Sequence, residues 1–560
     1  MEKRAILAIV LSLLVVVVWS ILFAPPSPVA PPPTEDTADK TSQVPAPAGE
    51  HPAGPRVTPS DTQQLSPSSS PTRTTLVTVH TGVTQLVLTS QGAGIKTVRL
   101  FEYRASAKDA SPPIEIAPVM EAAIAPLATD LRLGSRTLSL GRLQFTPSTT
   151  TLTLSASQPE GTVVFRGQTE EGGVIERVYR FYHGSYVFDV STQVDGITFP
   201  ERSAMTLTWG PGLRTTDQEQ TSGYGQTGTE YRSYIDGKIF HKAPDEVGET
   251  IAERGQVAWA ALADTYFTAV LLPQEPAANA VAVHRVAEDV LEVSVQTPLQ
   301  GTRAVQTIQV YVGPKEQQLL ETIEASLGKL IDLGFFSPLA RPMVQLLRLV
   351  NGVVHNYGVA IIVVTILIKV VFWPLTQKSY KSMKAMQTLQ PKMKELQALY
   401  KDDRQGLNRA MMQLYRDQKV NPMGGCLPML LQIPFFFAFY NALLYSIEMR
   451  HAPFICWDTA LFWVGQGICD LSTYDPSYVT PILMGVTMFL QQRMTPMTGD
   501  PTQAKIMQFM PLIFLFFFLK APAGLVIYWL MNNILSVAQQ LLVNRTRQQE
   551  ATEAETAGAG

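Results

Sequence analysis

The chain has 560 residues, 46% of them hydrophobic and 16% charged, with a net charge of −3. It exceeds one ordinary domain, its composition fits a mixture of soluble and membrane-embedded parts, and its near-neutral charge excludes a globally basic nucleic-acid binder. Three cysteines, Cys426, Cys456 and Cys469, make no zinc or haem spacing.

Residues 1–24 place Lys3 and Arg4 before an apolar run with Trp19 near its outer end, which predicts an uncleaved signal anchor with a cytosolic N-terminus. Residues 25–73 are rich in Pro, Ser and Thr, and too little apolar surface is present to offset chain entropy, so a disordered tether on the far side of the membrane is expected. From 74 to 315, short β-branched runs such as TTLVTVHT, YVFDVST and TIQVYVG alternate with turn residues, the pattern of a large all-β sandwich. Its histidines, His80, His183, His241 and His284, have no metal or triad spacing. Over 316–350, Leu319, Leu320, Ile323, Leu327, Leu330 and Ile331 recur at helical spacing, predicting an amphipathic helix that continues along the outer membrane surface; packing on the β domain is equally compatible.

Residues 351–547 form a membrane core with five apolar helices, at about 355–375, 427–447, 479–492, 506–519 and 525–543. The first carries Lys369, and a lysine near mid-span costs roughly 2.5–3.5 kcal/mol, so it must reach an interface, a partner or a wet cavity. Between the first two lies a basic stretch, 376–420, whose Met383, Met386, Leu389 and Met393 keep a helical seam; it reads as a helical hairpin that Lys378, Lys381 and Lys384 place in the cytosol. Alternate crossings give six spans with both termini inside, and a disordered tail over 548–560. Gln432, Asn441, Asn532 and Asn533 are polar within the spans and either line one cavity with Lys369 and Thr365 or make ordinary helix–helix hydrogen bonds. The topology puts Cys456 and Cys469 together in an outer loop, where an oxidising periplasm permits a disulfide, two free thiols being the alternative.

With NPMGGCLPMLLQIPFFFAFYNAL, APFICWDTALF, KIMQFMPLIFLFFF and PAGLVIYWLMNN in this order, the chain resembles the YidC/Oxa/Alb group of membrane-protein insertases, in the Gram-negative form with a large periplasmic domain. The resemblance implies a six-span α-helical membrane core with a cytosolic hairpin and an all-β periplasmic super-sandwich. It implies a hydrophilic groove with a cation on the second span, usually Arg and here Lys369, and paired tyrosines on the last, here Tyr528 and Trp529. Phe435, Phe436, Phe439, Phe514 and Phe517 would form an apolar slide for the client. The expected partners are nascent inner-membrane proteins, the Sec translocon, lipids, and ribosome and targeting machinery through hairpin residues such as Lys378, Lys381, Lys384, Met383 and Met386; no cofactor, metal or enzymatic chemistry is expected. A secondary transporter and an anchored periplasmic carbohydrate-binding protein are the rival classes.

Overall fold

The computed structural model describes residues 74–558 apart from 108–110, 118–124, 171, 216–228, 275–277, 300, 402, 419, 421–426, 457–466 and 495–500. The expected signal anchor and tether, Cys426, and the side chains of Lys381 and Met383 lie outside the described residues.

Period-two burial builds the first half. Val187–Phe199 alternates enclosed and open positions and pairs antiparallel with Gly301–Pro314, Val187 opposite Tyr311 and Asp195 opposite Arg303. These strands lie within a nine-stranded sheet accompanied by two six-stranded sheets. Their apolar faces merge into one core containing Phe165, Tyr179, Phe181, Phe188 and Trp259. Arg177, on the nine-stranded sheet and 1% exposed, donates to the carbonyls of Gly92, Ala93 and Leu127 and to the hydroxyls of Thr129 and Thr192, so its guanidinium ties the three sheets together. A buried cation is tolerable there because each of its nitrogens has a partner.

The segment expected to be one amphipathic helix from residue 316 is broken. Helix α1, Gln317–Ile323, lasts seven residues, and the chain turns at Glu324 into a 3-10 segment, Ala325–Leu330, capped by the Glu324 carboxylate on Ser326 N. Leu320, Leu327 and Leu330 join the core of the β domain, while Trp259 Nε1 donates to Ser326 Oγ and Lys329 Nζ to the Tyr234 hydroxyl, each at 2.9 Å. The apolar spacing is thus satisfied by packing on the sandwich. The long amphipathic helix is α2, Ser337–Val354, with Ala340, Met343, Val344 and Leu347 enclosed and Leu349 and Val353 open.

Helix α2 stops at His355, in the left-handed region (φ 51°), and Asn356 starts the next helix, accepting from Val359 N and donating to Phe454 O at 2.8 Å. Gly358 is required here, since a Cβ would fall 2.1 Å from the Phe454 ring. Helix α3, Tyr357–Thr388, is one element of 32 residues that passes the expected end of the span and forms the first stretch of the hairpin. Helices α4, Gln390–Leu399, and α5, Arg404–Asp417, follow across a turn that Asp403 closes by accepting from Gly406 N at 2.8 Å. Then come α6, Leu427–Tyr445; α7, Val479–Met494; α8, Pro501–Phe518; and α9, Ala523–Gly558. Tyr357–Thr388 and Ala523–Val543 are long and apolar enough to cross a membrane, and Gln508–Phe518 is a shorter apolar helix. The tail expected to be disordered from 548 continues α9 as helix to Gly558, because RTRQQEATEAETA is mostly Ala, Glu, Gln and Arg, with neither Pro nor Gly to stop it.

Candidate functional site

Helix α9 packs chiefly on α7 and α3. On α3, Ile361, Val364 and Thr365 are buried in the bundle, whereas Ile366, Leu367, Val370 and Val371 are exposed. Lys369 falls four residues after Thr365 and so shares the inward face. Half-buried, its ammonium donates to Ser536 Oγ on α9 at 2.8 Å. Ser536 Oγ in turn donates to Asn532 O at 2.7 Å, and the Asn532 side chain accepts from Gln432 Nε2 of α6 at 2.8 Å. One turn further on, Gln539 Nε2 donates to Thr376 Oγ1 at 2.6 Å. A polar seam therefore runs between α3 and α9, touching α6. Toward the β domain the same bundle is apolar, with Ala360, Ile361, Val364, Phe439, Ala442 and Val526 enclosed.

Electrostatically the seam is unbalanced. An ammonium has three donors, Ser536 takes one, and among the described residues no carboxylate pairs with Lys369.

The remaining expected site residues divide. Thr365, 1% exposed, turns its hydroxyl back onto Ile361 O at 2.6 Å, so it has no free donor for a ligand. Asn441 lies two and a half helical turns from Gln432, where its Nδ2 donates to Leu333 O at 2.7 Å; it fixes the approach to α2 and is not part of the seam. Tyr528 is buried against Phe439 and Phe436, with ring centroids 4.5 and 6.3 Å away, and Trp529 packs on Phe436, Phe514 and Phe518. Asn533 is also buried, and its Nδ2 has no hydrogen-bond partner among the described residues. Among the slide candidates Phe439 is fully enclosed, so it supports the surface instead of forming it; Phe435, Phe436 and Phe514 are half-buried and Phe517 is exposed. On the hairpin Lys378 is exposed and Lys384 half-buried, while Met386 is buried, as are Leu389 and Met393, so Met386 is a packing residue and offers little contact surface. Ser536 and Thr376 were not singled out from the sequence. The signal was spacing: Ser536 is four residues from Asn532, and Thr376 seven from Lys369.

At the other end of the bundle a Cys456–Cys469 disulfide lies in the segment between α6 and α7. Beside it Arg450 donates to Arg104 O of the β domain at 2.7 Å and lies over the Phe267 ring, and His451 faces Asp470. Burial, with Arg450 adjacent, pushes the His451 imidazole down to about 3. Burial holds the Asp470 carboxyl above its usual range despite the Ser472 hydroxyl and backbone N–H groups it accepts from.

Comparison with known proteins gives two family matches: "60Kd inner membrane protein" over residues 349–551 and "YidC periplasmic domain" over residues 76–346. The membrane protein insertase YidC of Syntrophus aciditrophicus is 38% identical across 97% of this chain and 100% of its own length. The chain belongs to the YidC family of membrane protein insertases. The YidC of Oleidesulfovibrio alaskensis is 40% identical over 96% of this chain and 98% of its own. A crystal structure of an active YidC insertase with its first transmembrane domain resolved covers 83% of this chain and 91% of its own at 16% identity, with a TM-score of 0.34. The two YidC matches meet at α2: the periplasmic match ends at 346, and the membrane match begins at 349.

Proposed function

We propose that this chain inserts nascent transmembrane segments into the bacterial inner membrane, alone or with the Sec translocon, and assists their folding. In this reading α3, α6, α7, α8 and α9 span the membrane together with an N-terminal anchor. Both termini and the basic hairpin are cytosolic, and the β domain is periplasmic. The hairpin receives ribosome and targeting machinery, and the β domain offers a docking platform.

One observation carries the mechanism: Lys369 is a cation with no carboxylate partner among the described residues, in a polar seam whose opposite end is filled with apolar side chains. An acidic residue dragged through hydrocarbon costs about 2.5–3.5 kcal/mol. Inside the seam the ammonium and water lower that cost while the client's polar outer segment waits. Its apolar segment meanwhile moves along Phe435, Phe436, Phe514 and Phe517 into lipid, and that transfer drives the step without nucleotide or covalent chemistry.

The test uses cells depleted of the native protein and supplied with variants. Lys369→Arg should sustain insertion of clients with acidic outer segments, and Lys369→Ala or Lys369→Glu should impair it. A Lys369→Cys variant should react with a water-soluble thiol reagent from the cytosolic side. Full activity of Lys369→Glu, with no labelling of Lys369→Cys, overturns the groove.

A further inference from the structure

Resting on the insertase reading, we propose that Ser536 is a positioning residue for Lys369. It fixes the ammonium against α9 with its free donors turned to the client, and it thereby sets the preference for acidic outer segments. Ser536 is 3% exposed and so does not meet a client directly. Its single hydroxyl proton is committed to Asn532 O at 2.7 Å, which leaves only lone pairs toward Lys369 Nζ at 2.8 Å. Oriented this way, the oxygen accepts from a cation and offers nothing to an anion. A client carboxylate therefore cannot displace the lysine by bonding the serine; it must take the ammonium's remaining donors.

The orientation is itself held. Asn532, whose carbonyl takes the serine proton, is fixed through its side chain by Gln432 of α6 at 2.8 Å, so three helices define where the charge sits. Without that acceptor the flexible lysine stem relaxes toward water and the hairpin end, where its charge is screened and further from an entering client.

The experiment measures insertion of two clients of equal length that differ only in Asp or Asn in the outer segment, in cells depleted of the native protein. Ser536→Ala should slow the Asp client about tenfold to a hundredfold, the equivalent of one hydrogen bond to a charged group. It should leave the Asn client unchanged, and Ser536→Thr, which keeps the hydroxyl, should restore insertion of the Asp client. On a Lys369→Ala background, Ser536→Ala should add nothing. If Lys369→Ala impairs the Asp client and Ser536→Ala does not, the positioning role is wrong while the groove stands. An equal loss for both clients, or a further loss on the Lys369→Ala background, assigns Ser536 to helix packing and also overturns the proposal. A Lys369→Ala variant with undiminished insertion overturns the groove reading itself.

Discussion

Replacing Arg450 with alanine should loosen the β domain from the helical bundle without touching the seam around Lys369. The Arg450 side chain is 7% exposed, donates to Arg104 O at 2.7 Å, and sits 5.2 Å from the centre of the Phe267 ring. A hydrogen bond from a charged group contributes about 1.5–3 kcal/mol, and a desolvated cation–π contact about 2 kcal/mol. Both belong to one guanidinium and do not add fully, which leaves about 3 kcal/mol, or roughly a hundredfold in the population of the opened junction. The Tyr266 hydroxyl still donates to Leu444 O, so the domain stays docked on average. Hydrogen exchange read by proteolysis and mass spectrometry should show faster exchange in Ile95–Arg104, Phe267–Pro273 and the loop around Ile447–Met449, with protection elsewhere intact. Arg450→Lys should fall between, because the charge stays and the planar fork is lost. Unchanged exchange in those segments would refute the clamp, and uniform loss of protection would mean that the substitution had damaged the fold.

Thiol labelling of unreduced, denatured protein should modify Cys426 and spare Cys456 and Cys469; modification of all three contradicts the bridge. His451, depressed to about 3 by burial, stays neutral when folded and protonates when unfolded. The unfolded state therefore binds more protons between about pH 6.5 and 3, and the segment between α6 and α7 loses stability as pH falls through that window. The buried Asp470, shifted upward, offsets part of this, so the readout is the difference in acid sensitivity between the native protein and His451→Gln, and identical profiles would remove the effect. Phe439→Ala should destabilise the bundle by about 3–5 kcal/mol through the cavity it leaves. Phe517→Ala, at an exposed position, should leave thermal stability within about 0.5 kcal/mol while weakening photo-crosslinking to a client; equal destabilisation by the two would contradict their placement.

Element type was legible wherever one period dominated. Val187–Phe199 alternates so regularly that its pairing face is readable from the letters, and the apolar runs of α6 to α9 announce themselves by composition. Leu319 to Ile331 misled because helical spacing also suits two short turns laid on a sheet, and only the sandwich supplies that partner. Lys369 stood out because a lone charge in an apolar run has few explanations. Depth and facing did not stand out. Asn441 and Asn532 look alike in sequence, yet one meets Leu333 and the other Gln432, because a polar residue's role in a bundle depends on which helix lies opposite. Ser536 was quiet for the same reason: a serine in a membrane helix can bond its own backbone and usually signals nothing.

Lys369 and the start of the hairpin ride on one uninterrupted helix, Tyr357–Thr388, pivoted where Pro374 removes a backbone hydrogen bond. The arm from that proline to Thr388 is about 21 Å long, so a tilt of about 5° swings its tip by about 2 Å. Mechanically it is a jointed lever: Lys369 lies five residues before the proline and Lys378 and Lys384 lie beyond it, so the spacing between the buried ammonium and the basic arm is set by the bend at that one position.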